Sequence, residues 1–196
     1  MDIRPVVLEG AHVRLEPLSL DHLPALTEIG LEPDLWRWTT QLVRTPEEMG
    51  DYVREALAEQ AAGRALPFAT VEKTSGRVAG STRFGAIEPA HRKVEIGWTW
   101  LAQRWQRTVL NTEAKYLMLR HAFERWGCVR VEFKTDVLNT RSRQALLRIG
   151  AKEEGILRSH IITGTGRVRD TVYFSVTASE WPAVRAALEA KLGPRG

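Results

Sequence analysis

Polar and apolar residues alternate through His12-Val13-Arg14-Leu15-Glu16, the pattern of a half-buried strand. The period then lengthens: Leu23, Leu26 and Ile29 recur at helical spacing, which predicts a helix over 21–29. Thr45-Pro46-Glu47-Glu48 reads as a helix start, with Thr as cap, Pro at the first helical position and Glu three residues after the cap. That helix is expected to run to about Ala62, with Gly63 as its left-handed terminator. Residues 66–71 and 77–85 form a hairpin around Lys73-Thr74-Ser75-Gly76, and 94–100 is the next strand. A long helix follows over 108–126, with Tyr116, Leu119, Phe123 and Trp126 on one face and Gly127 as its stop. Residues 129–135 form a strand rich in β-branched side chains, and 139–149 a short helix closed by Gly150. Strands over 155–163 and 168–177 meet at Thr163-Gly164-Thr165-Gly166, and the chain closes on a helix over 181–192. Helices alternate with strands in the middle and hairpins flank both sides. This predicts an α+β fold, one domain over residues 1–196, around a mixed sheet.

Composition narrows the function classes without naming one. Hydrophobic residues at 43% and charged residues at 27% are ordinary for a globular chain long enough to bury a core. A net charge of +4 is a mild excess, read either as an arginine-rich solvated surface or as preparation for a phosphate-bearing ligand. The arginines are spread along the chain without a nucleic-acid-binding motif, which argues against a nucleic-acid module. One cysteine, Cys128, excludes an internal disulfide framework and fits a reducing cytoplasm. His12, His22, His91, His121 and His160 show no close paired spacing, so no metal is expected. No apolar run approaches a membrane-spanning length, and the N-terminal residues lack a signal peptide's hydrophobic region.

The chemistry concentrates in residues 93–150. Val94-Glu95-Ile96-Gly97-Trp98-Thr99-Trp100, then Arg104-Trp105-Gln106-Arg107-Thr108-Val109, reads as a strand, a cationic turn and a helix start. A helix entered from a strand end presents free backbone N–H groups and a positive dipole end, which suits a pyrophosphate. Asn111-Thr112-Glu113-Ala114 and the later Asn139-Thr140-Arg141-Ser142, closing on Gly150, complete the pattern. In this order the residues resemble the GNAT superfamily of acetyl-CoA-dependent N-acetyltransferases. Within it they resemble the branch that acetylates N-terminal amines of ribosomal proteins.

That resemblance covers roughly Val7 to Thr177 and implies a GNAT-like domain, with a mixed, mostly antiparallel sheet, a splayed strand pair and flanking helices. It implies that the backbone of Trp98, Thr99 and Trp100 pairs with the pantetheine arm of acetyl-CoA. The two Trp side chains are expected to pack. Gly97 suits a splay or bulge, where a side chain would crowd the approaching ligand. Arg104, Trp105, Gln106, Arg107, Thr108 and Val109 fall where the family's pyrophosphate loop should be, but both loop glycines are replaced, the first by Arg107 and the second by Val109. A β-branched residue tolerates positive φ poorly, so Val109 is expected to lie inside the helix. Arg107 is left to make the tight turn or to contribute charge. Asn139 is expected both to cap its helix and to contact the cofactor, and Ser142 either to protonate the departing thiolate or to cap. Leu146 stands where many members carry a tyrosine acid.

Glu95 occupies the position of a glutamate base in some members; a surface or salt-bridged strand residue is the alternative. Tyr173 and Glu154 rank below it. His121 reads as structural, Cys128 as packing, and Thr163-Gly164-Thr165-Gly166 as a hairpin turn and not a phosphate loop. The acceptor is expected to be a protein N-terminal amine. A small amine such as a polyamine or aminoglycoside, and a degenerate binding protein that has lost coenzyme affinity, stay open. Relatives often pair, so a homodimer is expected, with Trp36, Trp38 and Trp105 read as exposed aromatics at a pocket or interface, or one or more of them as cover for the core.

Overall fold

The computed structural model describes residues 1–193; the last three residues of the expected domain lie outside them. Eight strands form one sheet: β1 (Leu8–Glu9), β2 (Val13–Pro17), β3 (Leu66–Glu72), β4 (Arg77–Glu88), β5 (Lys93–Leu101), β6 (Arg130–Asp136), β7 (Lys152–Ile162) and β8 (Val168–Thr177). Their order across the sheet is β1-β2-β3-β4-β5-β6-β8-β7. Every neighbouring pair is antiparallel except β5 and β6, which are parallel. The helices are α1 (Leu23–Gly30), α2 (Pro33–Trp36), α3 (Pro46–Ala61), α4 (Val109–Arg120), α5 (Thr140–Arg148) and α6 (Trp181–Leu192). The α+β class and the mostly antiparallel mixed sheet are as the sequence predicts.

The two faces of the sheet bury different cores. On one, Phe68, Phe84, Phe133 and Phe174 pack against Leu117 and Leu119 of α4. Tyr116 and Phe123 bring the Trp181 ring of α6 against the same helix, with centroids 6.4 and 5.3 Å apart. On the other face, Ala69 and Trp100 pack beneath Leu26, Trp36, Met49 and Val53 of α1–α3. Alternation along each strand separates the cores: Phe68 points one way and Ala69 the other.

Local chemistry sets the element ends. The Thr45 hydroxyl accepts the Glu48 N–H at 3.2 Å, so α3 starts at Pro46 as the cap predicts. The Glu48 carboxylate accepts the Arg44 N–H, one residue before the cap residue. The predicted 108–126 helix is α4 followed by a π-helical turn over His121–Arg125. Its early residues anchor the start of the sheet. The buried Glu113 carboxylate accepts the N–H groups of Ala11, His12 and Val13, each at 2.7 Å, and so fastens the β1–β2 turn to α4. A Cβ at Gly10 would lie 2.4 Å from that carboxyl carbon.

Several sequence expectations need correction. β1 and α2 are too short for periodicity to reveal. β4 extends to Glu88 and β7 begins at Lys152. Trp36 and Trp105 are buried, not exposed: Trp36 packs on Tyr52 and Trp100, and Trp105 joins the α4 core. They cover the core, the second of the two readings of these residues.

Candidate active site

The site is built where β5 leaves β6. The two strands pair only through Lys93–Arg130, Val94–Val131 and Glu95–Glu132, although β5 continues to Leu101 and β6 to Asp136. From Ile96 onward they splay, which leaves the β5 edge that faces β6 without a strand partner. On the β4 side the register passes from Arg83–Gly97 to Ser81–Trp100, so Thr82 faces both Trp98 and Thr99. This is a bulge. It sits one residue later than Gly97 leads one to expect: Trp98 takes the left-handed conformation at φ +50, and Gly97 does not. The missing Cβ of Gly97 makes room for a neighbour instead, since a Cβ there would lie 2.9 Å from Glu95 Oε1.

Past the bulge, Trp98 and Trp100 face the α1–α3 side and Thr99 faces α4. Trp100 is buried against Trp36, as the packing reading expects. Trp98 is half-buried; its ring fills the space over Gly85, and its carbonyl accepts the Tyr52 hydroxyl at 3.4 Å. Thr99 points to the α4 side, where its hydroxyl meets that of Thr82 at 2.7 Å and accepts from Lys115 Nζ at 2.6 Å. Lys115 is buried, and burial pushes its pKa down to about 7.

From Leu101 the chain turns through Gln103–Trp105 into α4. Arg107 adopts φ +62, so it makes the left-handed turn that a glycine would make more easily. Thr108 is the cap residue, its hydroxyl accepting the Leu110 N–H at 3.3 Å, and Val109 is the first residue of the helix, as its branching predicts. Arg104 and Arg107 are exposed, with the Arg104 guanidinium 3.8 Å from the Trp105 ring centroid. Gln106 ties the loop to both sides: its amide donates to the Leu101 carbonyl at 2.9 Å, and its carbonyl accepts from Arg141 at 3.0 Å. The last contact brings the 104–109 loop to the start of α5, more than thirty residues away in sequence.

Asn139 caps α5, its side-chain oxygen accepting the Ser142 N–H at 3.0 Å. Ser142 is therefore the capped residue and not the cap, a correction to one of its two sequence readings. Leu146 is buried in the α4 core.

Glu95 is buried and ion-paired, its Oε2 2.7 Å from Lys134 Nζ. Burial works against the Lys134 charge, but Glu95 outweighs it and raises the lysine's pKa. The Tyr173 ring lies over the same ammonium, 5.1 Å from it. Glu154 is held by Arg130 and the Ser175 hydroxyl, which lower its pKa to about 2, so it makes a poor base. Burial raises the Cys128 thiol to about 11, which disfavours the nucleophilic thiolate. Burial also lowers the pKa of His121, which packs on Trp126 in a structural role. The 163–166 segment is a hairpin turn, with Thr163 N–H donating to Arg167 O at 2.9 Å. It touches the loop before α3 through Gly164 N–H and Thr40 O, at 3.0 Å.

Sequence reasoning missed Arg83, Lys115 and Arg169, all buried and charged. Neither Arg83 nor Arg169 makes a close ion pair among the described residues; Asp136, which Arg167 engages directly, acts on Arg169 only at longer range. No pattern in the sequence distinguishes a buried arginine from the many on the surface.

The splayed β5 edge, the capped N-terminus of α4 and two exposed arginines beside it fit a ligand with an extended arm and a pyrophosphate. Among the described residues no group of three His, Cys, Asp or Glu is arranged to hold a metal, and no helix is long and apolar enough to cross a membrane.

A family model for the acetyltransferase (GNAT) domain matches residues 12–152. The chain is similar to the "Putative ribosomal N-acetyltransferase YdaF" of Bacillus subtilis (strain 168), with 32% identity over 54% of this chain and 57% of that protein. It spans between 57% and 66% of the length of the curated relatives it matches. Among solved structures, a "putative acetyltransferase" from T. thermophilus is 40% identical over 98% of this chain and all of that one, with a TM-score of 0.90. Mycobacterium smegmatis RimJ, solved in complex with CoA-disulfide, is 26% identical over 95% of this chain and 92% of that chain, with a TM-score of 0.80.

Proposed function

The chain belongs to the GNAT acetyltransferase family, and we propose that it transfers an acetyl group from acetyl-CoA to a primary amine, with a protein N-terminal amine as acceptor. The observation that carries this reading is the continuity of the splayed β5 edge with the Arg107 turn and the α4 N-terminus. The RimJ complex supports a coenzyme A ligand, and the ribosomal names among the relatives support the acceptor.

Acetyl-CoA supplies an activated acetyl thioester; the chain's own groups do the rest. The backbone of Trp98, Thr99 and Trp100 offers N–H donors for the pantetheine arm and for the thioester carbonyl. Arg104, Trp105, Gln106, Arg107, Thr108 and Val109 hold the pyrophosphate with backbone donors and arginine charge. Replacing both loop glycines preserves this, because Arg107 still makes the turn and Val109 still opens the helix. Asn139 fixes the start of α5 beside the loop. Ser142 holds a proton there for the departing thiolate, and Glu95 accepts the proton that the amine gives up.

Calorimetry with acetyl-CoA tests the reading. Binding that weakens as salt rises is expected, together with coenzyme A release when peptides with a free N-terminus are supplied. Absence of binding at millimolar acetyl-CoA would favour a degenerate binding protein. Turnover confined to polyamines or aminoglycosides would overturn the N-terminal acceptor.

A further inference from the structure

Arg83 projects from β4 on the face that carries Glu95 and Trp98, beside the bulge where β5 departs from β6. It is only 2% exposed, and its Nε and Nη2 have no hydrogen-bond partner among the described residues. Its guanidinium lies over two rings, 5.1 Å from the Tyr52 centroid and 5.0 Å from that of Trp98. Cation–π contact offsets part of the cost of burying this charge, but rings offer no lone pair to N–H donors. The carboxylates in its neighbourhood are committed elsewhere, Glu95 to Lys134 and Glu59 to Arg64. Two strands beyond the splay, Arg169 repeats the situation on β8. It is buried, its Nε has no partner, and its Nη1 reaches only the Trp38 carbonyl at 3.4 Å. Among the described residues neither arginine makes a close ion pair with a carboxylate, although Asp136 and Glu95 act on Arg169 at longer range and Arg83 acts so on Glu59.

We propose that Arg83 is a specificity residue of the acceptor site, and that the amine acetylated here carries a carboxylate which the Arg83 guanidinium binds. A guanidinium takes a carboxylate through paired N–H donors, and the two rings hold its plane in place for that geometry. Arg169 supplies a second, more distant cationic group. The inference rests on the acetyl-transfer reading; a peptide source narrows the N-terminal acceptor proposed above, and a free amino acid would replace it. The carboxylate belongs either to a free amino acid or to an acidic side chain in the first residues of a peptide.

The test measures coenzyme A release with matched acceptors. One arm compares free amino acids with their α-amides. The other compares peptides that begin with Asp or Glu with the same peptides carrying Asn or Gln. The acidic member of at least one arm is expected to show kcat/KM at least tenfold higher, and the arm identifies the source. Arg83→Met, which keeps the length over the rings, is expected to abolish that preference through KM and leave acetyl-CoA affinity unchanged. Arg83→Lys, should the Met variant melt early, is expected to retain only part of the preference. Equal turnover of acid and amide by the native protein, or an intact preference in Arg83→Met, would overturn the carboxylate site while leaving acetyl transfer standing. Failure to acetylate any amine would overturn both.

Discussion

Lys115 Nζ lies 2.6 Å from the Thr99 hydroxyl, which couples the middle of α4 to the bulge in β5. Among the described residues the amine has no carboxylate partner and meets Thr99 and, at 3.4 Å, Thr82. An ammonium there is disfavoured, and the pKa falls to about 7 from its ordinary 10.5. The unfolded chain therefore binds more protons between those values, and this site makes stability rise with pH across that window. Below pH 7 the penalty is fully present, on the order of a few kcal/mol at about 1.4 kcal/mol per pKa unit. Denaturant titrations from pH 6 to 10 should show this rising limb, and Lys115→Met should remove it. A variant with an unchanged slope would show that Lys115 is solvated.

Arg107 holds a left-handed conformation that costs a non-glycine residue about 1 kcal/mol. Arg107→Gly should therefore raise stability by up to about 1 kcal/mol, less what the more flexible unfolded chain takes back. It should weaken acetyl-CoA binding and flatten the salt dependence, since a charge near the pyrophosphate is lost. Val109→Gly is expected to do the opposite to stability, losing about 1 kcal/mol, because it weakens the first turn of α4. An Arg107→Gly variant that binds acetyl-CoA as tightly as the native protein would assign the loop's role to backbone donors alone.

The contrast between Arg107 and Arg83 shows what a linear sequence can carry. Arg107 was legible because it occupies a glycine position in a local motif, and so the turn and the helix start at Val109 followed from backbone sterics. The α3 cap was legible for the same reason: Thr45 and Glu48 meet within one turn. Arg83, Lys115 and Glu113 act on partners brought in by the sheet, such as Trp98, Thr99 and the β1–β2 turn. Spacing says nothing about such pairs. Trp36 and Trp105 could not be assigned to surface or core because they lie in helical segments of only one turn, where burial depends on packing that periodicity does not encode.

Asn139 and Ser142 separate capping from chemistry. Asn139→Ala removes the oxygen that accepts the Ser142 N–H, and should cost about 1 kcal/mol of stability. Ser142→Ala keeps that bond, which uses the backbone, so its melting temperature should stay close to native. If the hydroxyl protonates the leaving thiolate, kcat should fall far more than acetyl-CoA affinity. Native turnover in Ser142→Ala would remove it from the mechanism.

Glu95 poses a harder separation, because its carboxylate is both a candidate base and the partner of Lys134 at 2.7 Å. Glu95→Gln strands a half-buried ammonium whose pKa Glu95 holds up against burial. Lower stability is expected whatever the catalytic role, by about 1–3 kcal/mol. The second substitution resolves the ambiguity. Glu95→Gln with Lys134→Met removes both charges, and should recover much of the lost stability as a coupled pair. A base cannot be restored in this way. If Glu95 takes the amine proton, the double variant should regain its melting temperature yet stay slow, with the rising limb of its pH–rate profile shifted to higher pH. The defect should be larger on a lysine or polyamine acceptor than on a peptide N-terminus, whose amine is already partly neutral near pH 7–8. Recovery of turnover together with stability would show instead that the pair only holds β5 to β6 at the root of the splay.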